Sequence, residues 1–305
     1  MKKTRILFVS AAVIVMIIAA VLISRILSSG PSKNDDGFYE IGTKEDLIWL
    51  SETVNSGDGV INAVLVDDIT FDGEDFTPIG SLTNHFNGVF DGQGHRISGI
   101  VIDAPSKDYM GVFGCSDGVI RNLTVNNYIV GNDHTGGVCG FNTGLIENCC
   151  NEGNVLGHDF VGGIYGNDDL KPNGRVRNCY NIGSTSAHAS YGIGCKAESV
   201  ENCYSMVSWN NYGISSTESK NCYCIKAGAD KACTESDMNF FESGEATYLL
   251  NSGNEETVWY QNIDIGERDA FPTLDSTHGY VHSDNGTYTN KHTYKNGVCE
   301  CGAKE

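Results

Sequence analysis

A short motif recurs through the middle of the chain. Asn148-Cys149-Cys150, Asn178-Cys179-Tyr180, Asn202-Cys203-Tyr204 and Asn221-Cys222-Tyr223 share one pattern, and Asn122-Leu123 is an earlier variant. Two residues before these Asn stand Ile120, Ile146, Val176, Val200 and Ser219. Upstream lies a Gly-apolar element: Gly111-Val112-Phe113-Gly114, Gly137-Val138-Cys139-Gly140, Gly163-Ile164-Tyr165-Gly166, Gly192-Ile193-Gly194 and Gly213-Ile214. Successive Asn are 26, 30, 24 and 19 residues apart. A repeat of this length is one supersecondary unit that buries its apolar face only by stacking on its neighbours.

The period sets the fold class. The units hold short β-type runs broken by Gly, Asn and Asp, with no helical periodicity long enough for a helical solenoid. An all-β parallel β-helix follows, one unit per coil, with coils repeating every ~4.8 Å. Equivalent residues then form columns. Leu123, Cys149, Cys179, Cys203 and Cys222 are predicted as one interior column, and the Asn column marks a bend where side-chain amides stack. Tyr180, Tyr204 and Tyr223 fall next to it on the outside. With Trp209 they are the candidate ligand-binding residues, since exposed rings stack on sugars.

The stretch from Phe86 to Ile100 (FNGVFDGQGHRISGI), the Gly-Val-Phe-Gly and Gly-Gly-apolar-x-Gly elements and the Asn-Cys-Tyr units together resemble the GLUG-repeat family. The resemblance covers about residues 39–224. It implies a right-handed parallel β-helix on an exported bacterial surface protein, as in non-catalytic parts of immunoglobulin A peptidases, and it implies no enzymatic activity. The last coils depart from the pattern, because Tyr191-Gly192 and Tyr212-Gly213 replace the doubled Gly.

Residues 1–27 read as a signal anchor. Lys2, Lys3 and Arg5 precede 19 uncharged residues from Ile6 to Ser24, long enough to span the hydrocarbon core as a transmembrane helix. Cleavage as a signal peptide is the alternative, with secretion as its consequence. A linker spans 28–38. An N-terminal cap occupies 39–58, with Thr43 as helix N-cap and Leu47, Leu50 and Val54 on one face. The β-helix covers 59–233, a C-terminal cap with a short helix 234–282, and a Cys/His tail 283–305. The body is acidic. The whole chain has 20 basic and 39 acidic residues, and five of the basic ones precede residue 34, so the remainder carries 15 against 39, or −24. Nucleic acid is excluded as a partner on that charge. The membrane, through the N-terminal helix, and a glycan or extracellular protein are the expected partners.

Twelve Cys in an exported chain suggest disulfides. Within a column, however, the Cβ vectors run parallel and fit the disulfide dihedral poorly. Free buried thiols are expected for Cys149, Cys179, Cys203 and Cys222, while Cys150 falls in the Tyr column and a long-range disulfide from Cys224 or Cys233 is open. In the tail, His292, Cys299 and Cys301, with His278 or His282, form a candidate zinc site.

The remaining chemistry is sparse. Gly114-Cys115-Ser116-Asp117-Gly118 matches a nucleophile elbow by letter but lies between two strand runs, so it reads as a turn. The alternative to a binding module is a carbohydrate-active β-helix enzyme. Its carboxylate and basic groups would come from Asp133, His134, His158, Asp159, Asp168, Asp169, Lys171 and Arg175. Asp133-His134 and His158-Asp159 lie 25 residues apart, about one coil, and stack on one exterior face in that reading. Ca²⁺ held by Asp168 and Asp169 is a further candidate. A passive surface spacer is the third possibility. No cofactor and no catalytic residue are assigned.

Overall fold

The computed structural model describes residues 30–166, 174–207, 213–214, 216–225 and 232–291, with the backbone of Tyr294–Lys295 and Val298–Cys299. The apolar segment 6–24 lies outside these residues, as do Trp209, Asp168, Asp169, Lys171, His292 and Cys301 and the side chain of Cys299. Among the described residues no helix is long and apolar enough to cross a membrane.

The chain winds as a right-handed parallel β-solenoid. One wall stacks Tyr39–Ile41, Ala63–Leu65, Val89–Asp91, the starts of Val119–Val130 and Leu145–Asn151, then Arg175–Arg177, Ala197–Glu201 and Ser216–Lys220, each parallel to the next. The Asn column turns the chain from this wall into the second. Asn122, Asn148, Asn178, Asn202 and Asn221 all take left-handed backbone, with φ between 49° and 54°. Asn adopts that conformation more readily than other residues with a Cβ. Their amides form a ladder along the axis: Asn148 Nδ2 donates to Asn122 Oδ1 (2.9 Å), Asn178 to Asn148 (3.0 Å), Asn202 to Asn178 (3.3 Å) and Asn221 to Asn202 (3.0 Å). Asp91 ends the ladder by accepting from Asn122 Nδ2 at 2.9 Å.

Immediately after each bend comes the interior column. Leu123 and Cys149 are in register, and Cys149, Cys179, Cys203 and Cys222 are buried free thiols. The left-handed bend takes the following N–H out of the strand ladder, and sulfur is there to receive it. The Cys149 N–H donates to Cys179 Sγ (3.4 Å) and the Cys179 N–H to Cys203 Sγ (3.3 Å). Each thiol also lies 3.1–3.3 Å from the carbonyl two residues before it. A small apolar side chain that also accepts a weak hydrogen bond suits this place better than Val or Leu.

Within the strand Arg96–Asp103, Gly99 sits at the register shift between Ser98 and Val101 with φ +76°, and a Cβ there would lie 1.7 Å from the Phe71 carbonyl oxygen. Only Gly fits such a bulge.

Helix α1 (Lys44–Asn55) follows the first strand. Thr43 and Asp46 form a reciprocal capping box, and Leu47, Leu50 and Val54 are fully buried against the first coils. Each such side chain contributes about 1.5–3 kcal/mol and covers the end of the solenoid. At the other end Cys224 and Cys233, nine residues apart, are joined by a disulfide that closes the last coils. The bond is short in sequence, not long-range. Helices α2 (Met238–Glu242) and α3 (Glu245–Asn251) follow, then an extended segment and a hairpin of His282–Asp284 with Thr287–Thr289. Asn290 ties that hairpin into this C-terminal unit, accepting from the Ile263 N–H and donating to the Gln261 carbonyl, both at 2.7 Å.

Candidate functional site

The second wall presents one outward column. Register places Arg96, Thr124, Cys150, Tyr180, Tyr204, Tyr223 and Thr234 side by side on successive coils. Tyr180 and Tyr204 stack nearly parallel at 5.1 Å. They do not face solvent. Tyr180, Tyr204 and Tyr223 are 7%, 0% and 9% exposed, and Cys150 is buried with them. The C-terminal unit lies along this side of the solenoid. Trp259, itself fully buried, meets Tyr180 at 5.7 Å and Tyr204 at 5.5 Å, Phe241 meets Tyr204 at 5.4 Å, and Phe240 meets Tyr223 at 4.9 Å. The Tyr204 hydroxyl donates to the Pro272 carbonyl, and Asn254 accepts from the Asn202 amide at 3.1 Å. The tyrosine column is therefore an anchoring surface for a segment later in the chain, not an open platform for sugars. Nothing near these tyrosines in sequence signals that cover.

Toward the N-terminal coils the C-terminal unit stands away from the wall. A groove of about 800 Å³ opens there. Its floor carries Gln93, Arg96, Asn122, Thr124 and Asn148, and its far side Glu256, Tyr260, Thr273 and Asp275. Asn122 and Asn148 are half-buried here, whereas Asn178 and Asn202 lie buried further along the ladder. Arg96 reaches across the coil of Thr124 to bind Glu152 in a bidentate pair. Hydrogen bonding to Glu152 raises the Arg96 pKa further, so the guanidinium is a fixed cation in the groove. The groove thus offers rigid amides, a hydroxyl-bearing wall, one clamped Arg–Glu pair and an aromatic side chain. Sequence reading missed it because its two sides lie more than a hundred residues apart; the Asn ladder was its only legible part.

The loop residues separate differently. His134 is 5% exposed, with φ 57°, and its ring stacks between Tyr109 (4.9 Å) and Phe160 (5.4 Å), both also left-handed. It is part of a ring ladder and is not an exterior group. Asp133, His158 and Asp159 do share one exterior edge, where the His158 Nδ1 is 3.3 Å from Asp133 and 3.4 Å from Asp159. Arg175 stands on the first wall, beside Leu145 and Ser199. Tyr165 is interior, and its hydroxyl accepts from the Ala197 N–H at 3.1 Å. Tyr191 is also buried.

The elbow-like Ser116 is fully buried and its hydroxyl accepts from the Gly118 N–H at 3.2 Å, which makes it a turn. Burial pushes the Cys115 thiol up to about 12, and Cys139, Cys149, Cys150 and Cys179 well above their ordinary value, through desolvation of the thiolate. Thiols held protonated in this way are poor nucleophiles. In the C-terminal unit His278 bonds Asp269 at 2.6 Å, and His282 is buried beside Tyr280.

These features define the chain as a parallel β-solenoid with a C-terminal unit clasped along its side and a polar groove between the two. Its fold is similar to the crystal structure of a candidate immunoglobulin A1 protease from Bacteroides ovatus, with a TM-score of 0.54 and 17% identity, over 81% of this chain and 94% of that one. The resemblance seen in the repeat motifs thus extends to the three-dimensional fold. No family model matches the chain. A stretch of 109 residues, 31% of the chain, is 37% identical to halomucin of Haloquadratum walsbyi, and one of 99 residues, 28% of the chain, is 35% identical to a candidate Gly-rich membrane protein of Evansella cellulosilytica. The matches span 1% and 11% of those two proteins.

Proposed function

We propose that this chain is a non-catalytic binding module, presented at the outer surface of a cell, that holds an extended polar ligand in the groove between its Asn ladder and its C-terminal unit. The groove carries the reading. Its side chains are amides, hydroxyls, a clamped Arg–Glu pair and Tyr260, a mixture suited to the hydroxyls and ring faces of a neutral glycan. The strongly acidic body disfavours anionic polymers. Surface presentation is supported by the basic flank and long apolar run of residues 1–27, which read as a membrane anchor, and by the likeness of part of the chain to a candidate membrane protein.

Cleavage of the glycan is the second reading, since Glu152, Glu256 and Asp275 line the same groove. One experiment separates the two. The full chain in detergent is incubated with a panel of neutral and acidic polysaccharides, and both retention and polymer length are followed. Binding without shortening, weakened about tenfold by Arg96→Ala or Tyr260→Ala, is the expected result. Shortening of a retained polymer would establish the enzyme. Retention unaffected by both substitutions, or no retention at all, would remove the groove from the reading.

A further inference from the structure

On the edge of the solenoid opposed to neither the groove nor the anchoring column, a second cluster is assembled by coil stacking. Asp108, Asp133 and Asp159 occupy equivalent places on three coils. The carboxylates of the first two accept the main-chain N–H of the next aspartate: Asp133 N to Asp108 Oδ1 and Asp159 N to Asp133 Oδ1, both 3.1 Å. The residue before the aspartate is Lys107, Asn132 and then His158, and the following coil places His188 beside it, its N–H bonded to the His158 carbonyl at 2.9 Å. The rings of His158 and His188 meet edge to face at 4.7 Å. His158 Nδ1 is 3.4 Å from Asp159 Oδ2, and His188 Nδ1 is 4.0 Å from Asp159 Oδ1. One ligand atom from each of the three lies within 4.8 Å of the other two.

We propose that His158, Asp159 and His188 bind a divalent transition-metal ion of the zinc type. Ligand atoms bound to one tetrahedral zinc at ~2.0–2.2 Å stand roughly 3.4 Å apart, so the observed separations need only small side-chain rotations. The donor set, two imidazoles and one carboxylate, suits zinc, nickel or copper rather than calcium, which takes six or more oxygens. The backbone holds the set in place: Asp159 is fixed through its N–H and the two histidines by register. Among the described residues neither Asp133 nor Asp159 is ion-paired with Lys or Arg, so the carboxylates remain available to a cation. The acidic body concentrates cations around the site. Three protein ligands leave a position for water or for a donor from a bound partner. Because His158 and His188 lie on adjacent coils, the ion also ties those coils together.

The test is calorimetric titration of Zn²⁺ into the full chain in detergent, carrying Cys299→Ser and Cys301→Ser so that tail thiols do not compete. Saturable binding of one ion per chain is expected, weakened at least tenfold by His158→Gln, His188→Gln or Asp159→Asn. His158 and His188 side chains are 57% and 77% exposed, so these variants fold normally, and circular dichroism verifies that they do. Absence of saturable binding up to millimolar zinc would overturn the proposal. So would binding that both histidine variants leave unchanged, or a site that Ca²⁺ fills in preference to Zn²⁺.

Discussion

Replacing Tyr204 with Ala tests the reversal in the role of the tyrosine column. Tyr204 is fully buried between Tyr180, Trp259 and Phe241, at ring distances of 5.1, 5.5 and 5.4 Å, and its hydroxyl bonds the Pro272 carbonyl. Truncating a buried aromatic costs about 3–5 kcal/mol, through lost transfer energy and the cavity left behind. An exposed tyrosine on a sugar-binding face would cost no more than ~0.5 kcal/mol. Solenoid unfolding need not be two-state, so a local readout is the better one. Amide hydrogen exchange would be compared between the segment 238–274 and the first-wall strands of the coils. Tyr204→Ala should accelerate exchange in that segment by a factor of a hundred or more, while Val119–Val130 keeps its protection. Tyr204→Phe keeps the ring packing, loses one hydrogen bond and should cost only about 1 kcal/mol. If Tyr204→Ala leaves exchange in 238–274 unchanged, the C-terminal unit is not anchored by this column.

Further expectations follow from the interior. Asn148→Ala removes one amide donor and one acceptor from the ladder and places Ala at φ 52°, so it should destabilise by about 2–3 kcal/mol in chemical denaturation; Asn148→Gly, free of the backbone strain, should lose less. The buried thiols have folded pKa values raised above their ordinary 9.0, to about 12 for Cys115 and Cys222. Their contribution to stability is full below pH 9 and is lost between pH 9 and about 12, because only the unfolded chain releases those protons. The unfolding free energy should therefore fall steeply over that range, by about 1.4 kcal/mol per pH unit for each such thiol, and Cys115→Ala should flatten the decline. A thiol reagent at neutral pH should leave Cys149 and Cys179 unmodified in the native state and label them after unfolding. Reduction of Cys224–Cys233, a loop of about ten residues, should weaken the last coils by about 2–3 kcal/mol, read as faster exchange in Tyr223–Cys224, with Val119–Val130 unaffected.

Much of the solenoid was legible because its information is local and repeated. Asn at a left-handed bend, Cys directly after it and β-branched residues two positions before give the coil, its corner and its interior column wherever the motif recurs. The capping box at Thr43 and the apolar face of α1 are equally local. The outward column was misread for a physical reason. An outward position in a strand is exposed unless something distant covers it, and alternation alone does not say whether anything does. Phe241 and Trp259, which bury Tyr204, lie 37 and 55 residues later in the chain.

The loops show the same division. Coil length varies from one unit to the next, so sequence spacing does not tell which loop residues meet. Asp133 and His158 were aligned by a near-constant period. His188 lies a longer coil away and enters the cluster only through backbone register, while His134 turns inward because its left-handed backbone stacks it between Tyr109 and Phe160. The sequence by itself determined the repeat, the bends, the thiol column and the acidic surface, since each depends on residue type at a fixed local offset. Tertiary structure alone decided which wall the C-terminal unit covers, where it leaves a groove and which histidines meet, since those depend on contacts between segments whose separation in the chain carries no periodic signal.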